Sequence, residues 1–66
     1  MQVTVNGEKR EFSRYFTISE LLEKLEIPNK LIAVELNKEI VRKKDWKTIS
    51  IKDADKIEIV YFVGGG

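Results

Sequence analysis

The 66-residue sequence closes on Gly64-Gly65-Gly66, and these three glycines are the feature with the plainest chemical use. They follow an apolar segment directly, cost backbone entropy to order and add no packing. A phosphate-cradling loop needs a helix behind its glycines to aim N–H groups at the anion, and the expectation is that the chain stops at Gly66 without one. What such a run does supply is a narrow extended arm, with no Cβ to hinder attack at its last carbonyl. A carboxylate on Gly66 is a poor electrophile and must first be activated, most directly as an acyl-adenylate made from ATP by a partner.

The side-chain inventory removes most other chemistry. With no Cys and no His, the chain has no thiol nucleophile, no imidazole base and no zinc site of the usual ligand types. Asp53 and Asp55 bracket Ala54 and read as turn formers, because two acids without further oxygen ligands make a poor Ca²⁺ or Mg²⁺ site. Glu20, Glu23 and Glu26 spread around a helix and share no single site. Lys38, Arg42, Lys43, Lys44 and Lys47 outnumber Glu39 and Asp45 locally, yet no interleaved aromatics offer bases a stacking platform. They read as a solvated loop. Twelve basic residues against eleven acidic ones leave a net charge of +1, without the excess that attracts phosphate backbones or anionic lipid. The expectation is chemistry done to this protein by others: no bound cofactor, no metal, no nucleic acid and no membrane. Short apolar runs and a start lacking a basic or apolar leader set a cytoplasmic expectation.

The elements that must carry the glycines follow from periodicity. Met1, Val3 and Val5 alternate with polar residues as a strand with one buried face, and Asn6-Gly7 gives the hairpin signal. The return strand over residues 8–12 is charged on both faces and suits a sheet edge. Thr17 and Glu20 have the spacing of a capping box, and Ile18, Leu21, Leu22 and Leu25 form the apolar stripe of a helix of about nine residues that Pro28 ends. Ile32, Val34 and Leu36 mark a further strand, Asn37-Lys38-Glu39 a turn, and Ile40-Val41 a short return. Asp45-Trp46 falls in a helical turn, and residues 48–51 are extended. The last strand starts at Ile57, with Ile57, Ile59, Tyr61 and Val63 on one face and Glu58, Val60 and Phe62 on the other. A strand apolar on both faces belongs in the centre of a sheet, paired with the first strand. The class is α+β: a mixed sheet covered on one face by a single helix, over residues 1–63, with a flexible glycine tail at 64–66.

Across its full length the chain resembles the thiamin-biosynthetic sulfur carriers of the ThiS family, small proteins with the ubiquitin-like β-grasp fold. The resemblance rests on Val3-Thr4-Val5-Asn6-Gly7, Thr17-Ile18-Ser19-Glu20-Leu21-Leu22, the run from Ala33-Val34-Glu35 through Ile40-Val41, Asp45-Trp46, Asp53-Ala54-Asp55-Lys56-Ile57-Glu58-Ile59-Val60, and Val63-Gly64-Gly65-Gly66. It implies a protein cosubstrate, not an enzyme. Gly66 would be adenylated by a ThiF-like activating enzyme that uses ATP, converted to a thiocarboxylate with sulfur from a donor protein, and read by a ThiG-like thiazole synthase. Val60, Phe62 and Val63 would dock the activating enzyme. The small subunit of molybdopterin synthase and a ubiquitin-like modifier share the fold and the activation, and a β-grasp RNA-binding module shares the strand order without a use for the glycines. Many family members have Gly where this chain has Ala54, which implies a turn here that needs no positive φ. Many also have Pro before the basic residue that follows the middle hairpin, where this chain runs Val41-Arg42-Lys43-Lys44.

Overall fold

The computed structural model describes residues 1–62. Five strands form one sheet in the order β2-β1-β5-β3-β4: β1 is Gln2–Val5, β2 Glu8–Glu11, β3 Ile32–Leu36, β4 Glu39–Val41 and β5 Lys56–Tyr61. The strand with apolar residues on both faces, β5, takes the central place. It runs parallel to β1 and antiparallel to β3. Parallel pairing needs a long crossover, and the chain between β1 and β5 fills it with the β2 return, one helix and the β3–β4 hairpin. The fully charged β2 lies at one edge, exposed along its length, where its charges discourage pairing with other chains.

Asn6 and Gly7 turn the first hairpin with φ of 48° and 83°, both in the left-handed region that the I′ turn demands. Asn6 also has a second task. Its side-chain oxygen accepts from the Ile59 backbone N–H at 2.6 Å, and its amide donates to the Ile59 carbonyl at 3.2 Å, so the turn is tied to the central strand. Asn37 and Lys38 make the corresponding turn between β3 and β4, again with positive φ at both residues.

The helix α1, Ile18–Lys24, opens with the full capping box: the Thr17 hydroxyl accepts from Glu20 N–H at 3.1 Å, and the Glu20 carboxylate accepts from Thr17 N–H at 2.9 Å. The other free N–H groups of its first turn go to the long loop after β4. Ile18 donates to the Ile49 carbonyl and Ser19 to that of Trp46. The helix stops earlier than Pro28 requires. Leu25 caps it and Glu26 turns left-handed at φ 56°, while Glu26 N–H returns to Glu23 and Ile27 N–H to Leu22, a Schellman ending that leaves seven helical residues.

Ile18, Leu21 and Leu22 are buried against Val3 and Val5 of β1, Val34 of β3, and Ile57 and Ile59 of β5. Trp46 and Ile51 complete the core from the loop. The Trp46 indole N–H reaches the Val41 carbonyl at 3.0 Å, which satisfies its one polar atom inside the apolar cluster. Residues 43–45 form a short 3₁₀ turn, with Trp46 as its C-terminal cap; of the stretch expected extended over residues 48–51, Thr48 still belongs to the turn and Ser50 makes an isolated bridge to Thr17.

Ala54 departs from expectation: its φ is 72°, so the turn does use the left-handed region. Neighbouring bonds hold it there. Ala54 N–H bonds the Gln2 carbonyl at 2.7 Å, Asp53 accepts from Gln2 N–H at 2.6 Å, and Asp55 accepts from Lys52 N–H at 2.7 Å and from the Asn37 amide at 3.0 Å. Both acids are turn formers, as their spacing suggests.

Candidate functional site

Side chains alternate along a strand, so the ladder decides which residues stand on which face of the sheet. Val34 and Ile59 are paired in register and both are buried beneath α1. Ala33 with Val60 and Glu35 with Glu58, the neighbouring pairs, therefore stand on the face without the helix. Phe62 continues that row just past β5, and its N–H donates to the Leu31 carbonyl at 2.8 Å. Val60 is 40% exposed and Phe62 55%. These two residues, expected as a docking pair, thus share one bare apolar surface at the end of the central strand. Val63, Gly64, Gly65 and Gly66, the rest of the expected site, lie outside the described residues.

Three further apolar residues are exposed around this end of the sheet or on the same face. Leu31, 66% exposed with φ 56°, adjoins Phe62 through that hydrogen bond. Its sequence position suggests an ordinary strand residue, and the left-handed backbone that sets it apart has no pattern to betray it. Ile40 on β4 pairs with Glu35 and is 73% exposed. Its alternation with the half-buried Val41 was the available signal. Tyr61 corrects the reading of the last strand: expected inward beside Ile57 and Ile59, it is 55% exposed. On the β1 side no strand flanks it, because β1 pairs with β5 only at Lys56 and Ile57. Tyr61 instead lines an open groove of about 480 Å³ together with Asn6, Arg10, Lys24, Leu25 and Ile27.

Some of the charge elsewhere has local partners. The Thr17 backbone N–H holds the Glu20 carboxyl below its ordinary value, and the Thr17 hydroxyl and Arg14 act in the same direction. Arg14 and Lys24 lie over the Phe16 ring, 5.7 and 6.0 Å from its centre. Lys38, Arg42, Lys43, Lys44 and Lys47 are all exposed. Arg42, at φ −66° and ψ 145°, holds the backbone geometry of a proline without being one.

A five-stranded mixed sheet, with one helix against one face and the last strand at its centre, is the ubiquitin-like β-grasp architecture. The ThiS family model matches residues 3–66, and the chain belongs to the ThiS family. It is 48% identical over 50 residues to the sulfur carrier protein ThiS of Bacillus subtilis, an alignment covering 76% of each chain. A thiazole synthase of Paramagnetospirillum magneticum is 44% identical over 66 residues. That match takes in the whole of this chain but only 20% of the relative, so the chain spans about a fifth of that protein's length. The crystal structure of the thiamine biosynthesis protein ThiS from Geobacter metallireducens superposes with a TM-score of 0.87 at 33% identity, each chain covered in full.

Proposed function

We propose that this protein is a sulfur carrier for thiamin thiazole formation, acting as a cosubstrate and not as a catalyst. The observation that carries the reading is that the family match extends through Gly66, so the glycines belong to the shared pattern. The bare Val60 and Phe62 surface lies at the end of the strand that leads to them. In this reading residues 1–63 are the handle and 64–66 the reactive arm.

A ThiF-like adenylating enzyme docks on Val60, Phe62 and Val63 and takes Gly66 into its own site. The Gly66 carboxylate attacks the α-phosphorus of ATP, releasing pyrophosphate and leaving an acyl-adenylate. Sulfur at the sulfide level, delivered by a donor protein, then attacks the acyl carbon and AMP departs. One carboxylate oxygen has been replaced by sulfur. The resulting thiocarboxylate is a stronger nucleophile than the carboxylate and passes its sulfur on to a ThiG-like thiazole synthase. The name of the Paramagnetospirillum relative supports that acceptor. Gly64 and Gly65 let the arm thread a narrow channel, since neither carries a Cβ.

The test is intact mass. Incubation with the adenylating enzyme of the same genome, ATP and a sulfur donor adds ~16 Da, the replacement of oxygen by sulfur. Omitting ATP or deleting Gly66 removes the shift without unfolding the domain. A shift that survives the deletion, or that maps to an internal lysine, refutes the proposal.

A further inference from the structure

The bare face carries a charge arrangement that folding alone disfavours. Glu35 on β3 and Glu58 on β5 are directly opposite in register. Residues so paired hold their Cβ atoms only ~4.5–5.5 Å apart, and like charges placed there destabilise a sheet. Both glutamates stand in the three central and neighbouring strands, where β-branched or oppositely charged pairs would serve stability better. Among the described residues, the ion pair within 4.0 Å joins the Met1 amino group to Glu11, and neither Glu35 nor Glu58 has such a partner. Lys56 shares the face two positions before Glu58, yet makes no ion pair with it.

The two acids are flanked by apolar residues on the β4 side and toward the end of β5, and by Lys56 on the other side. Ile40, 73% exposed, sits across from Glu35 on β4, and the next pair along the ladder is Ala33 with Val60. Glu35 itself is half-buried. A partner covering Val60 and Phe62 would strip water from two adjacent carboxylates, which is costly unless it brings a compensating charge. A guanidinium meets that need. Its planar fork carries five N–H donors and can bond two carboxylates at once, while its weak hydration suits an apolar rim.

We infer that Glu35 and Glu58 together form the receptor for an arginine of the adenylating enzyme, which enters between them as the apolar row docks. The inference rests on the docking proposed above and deepens it: the apolar row supplies contact area, and the paired glutamates fix orientation. A like-charge pair that is unfavourable in the free domain becomes favourable in the complex.

Calorimetric titration of the adenylating enzyme with wild-type protein, the Glu35→Gln/Glu58→Gln double variant and Phe62→Ala, at ~50 and ~500 mM salt, tests this. Removing both charges should weaken binding about tenfold or more at low salt and flatten its salt dependence. The double variant should also melt at or above the wild-type temperature, since the like-charge pair is gone. Binding as tight as wild type, or weaker binding with an unchanged salt dependence, overturns the inference. If the double variant is normal and Phe62→Ala binds weakly, docking stands and only the arginine receptor falls. If Phe62→Ala also binds normally, the docking proposal falls with it.

Discussion

The two faces of the sheet teach different lessons about the same strands. Beneath α1, Val3, Val34, Ile57 and Ile59 alternate out of solvent and obey every packing rule. On the other side of the same backbone, Ala33, Glu35, Glu58, Val60 and Phe62 pair two acids and leave large apolar side chains exposed. A face selected only for stability would show neither feature. The helical face holds the domain together, and in the proposed function the bare face is the one that meets the partner. Stability and docking should therefore separate by face under mutation.

The largest expected effect is on the helical face. Leu22→Ala should cost about 2–5 kcal/mol in denaturant unfolding, enough to threaten so small a domain, while folded molecules bind their partner normally. A loss below about half a kcal/mol would place the core elsewhere. Thr17→Ala should cost about 1 kcal/mol, because it removes the hydroxyl that caps Glu20 N–H. The same cap sets a pH dependence. The Glu20 carboxyl is held below its ordinary value of 4.5, chiefly by the Thr17 N–H, so its contribution is fully present above 4.5 and is lost as pH falls through the lower folded-state value. Glu20→Gln should flatten the acid side of the stability profile, and an unchanged slope would mean the cap bond does not persist in solution.

Smaller effects sharpen the contrast. Ala54→Gly should stabilise by about 0.5–1 kcal/mol, the relief of a left-handed alanine less the added freedom of the unfolded chain. A loss of stability would show that the turn is not left-handed. Phe62→Ala should move stability by no more than about half a kcal/mol while weakening the partner complex. If that variant unfolds and binds normally per folded molecule, Phe62 is core and the division between the faces fails.

The fold was legible where short-range rules and tertiary demand agree. The period of two in Met1-Val3-Val5, the Thr17 and Glu20 box and the stripe of Leu21 and Leu22 each give the element found, and the doubly apolar last strand gives its central place. Where a residue is held against its own preference, the sequence is silent. Ala54, Glu26 and Leu31 are left-handed without being glycine, because hydrogen bonds from distant residues or an early helix ending impose the geometry. The exposure of Tyr61 was hidden because the limit of β1–β5 pairing at Ile57 is a register that alternation does not give. On the candidate site, alternation exposed Val60 and Phe62, but the opposition of Glu35 and Glu58 needs the register of two strands more than twenty residues apart.

The division between the faces is tested most directly by the footprint of the partner. Backbone amide shifts of labelled protein, followed as the adenylating enzyme is added, should change at Ala33, Glu35, Ile40, Glu58, Val60 and Phe62, with α1 and β2 left as in the free domain. A footprint centred on α1, or on the charged edge strand β2, would contradict the account.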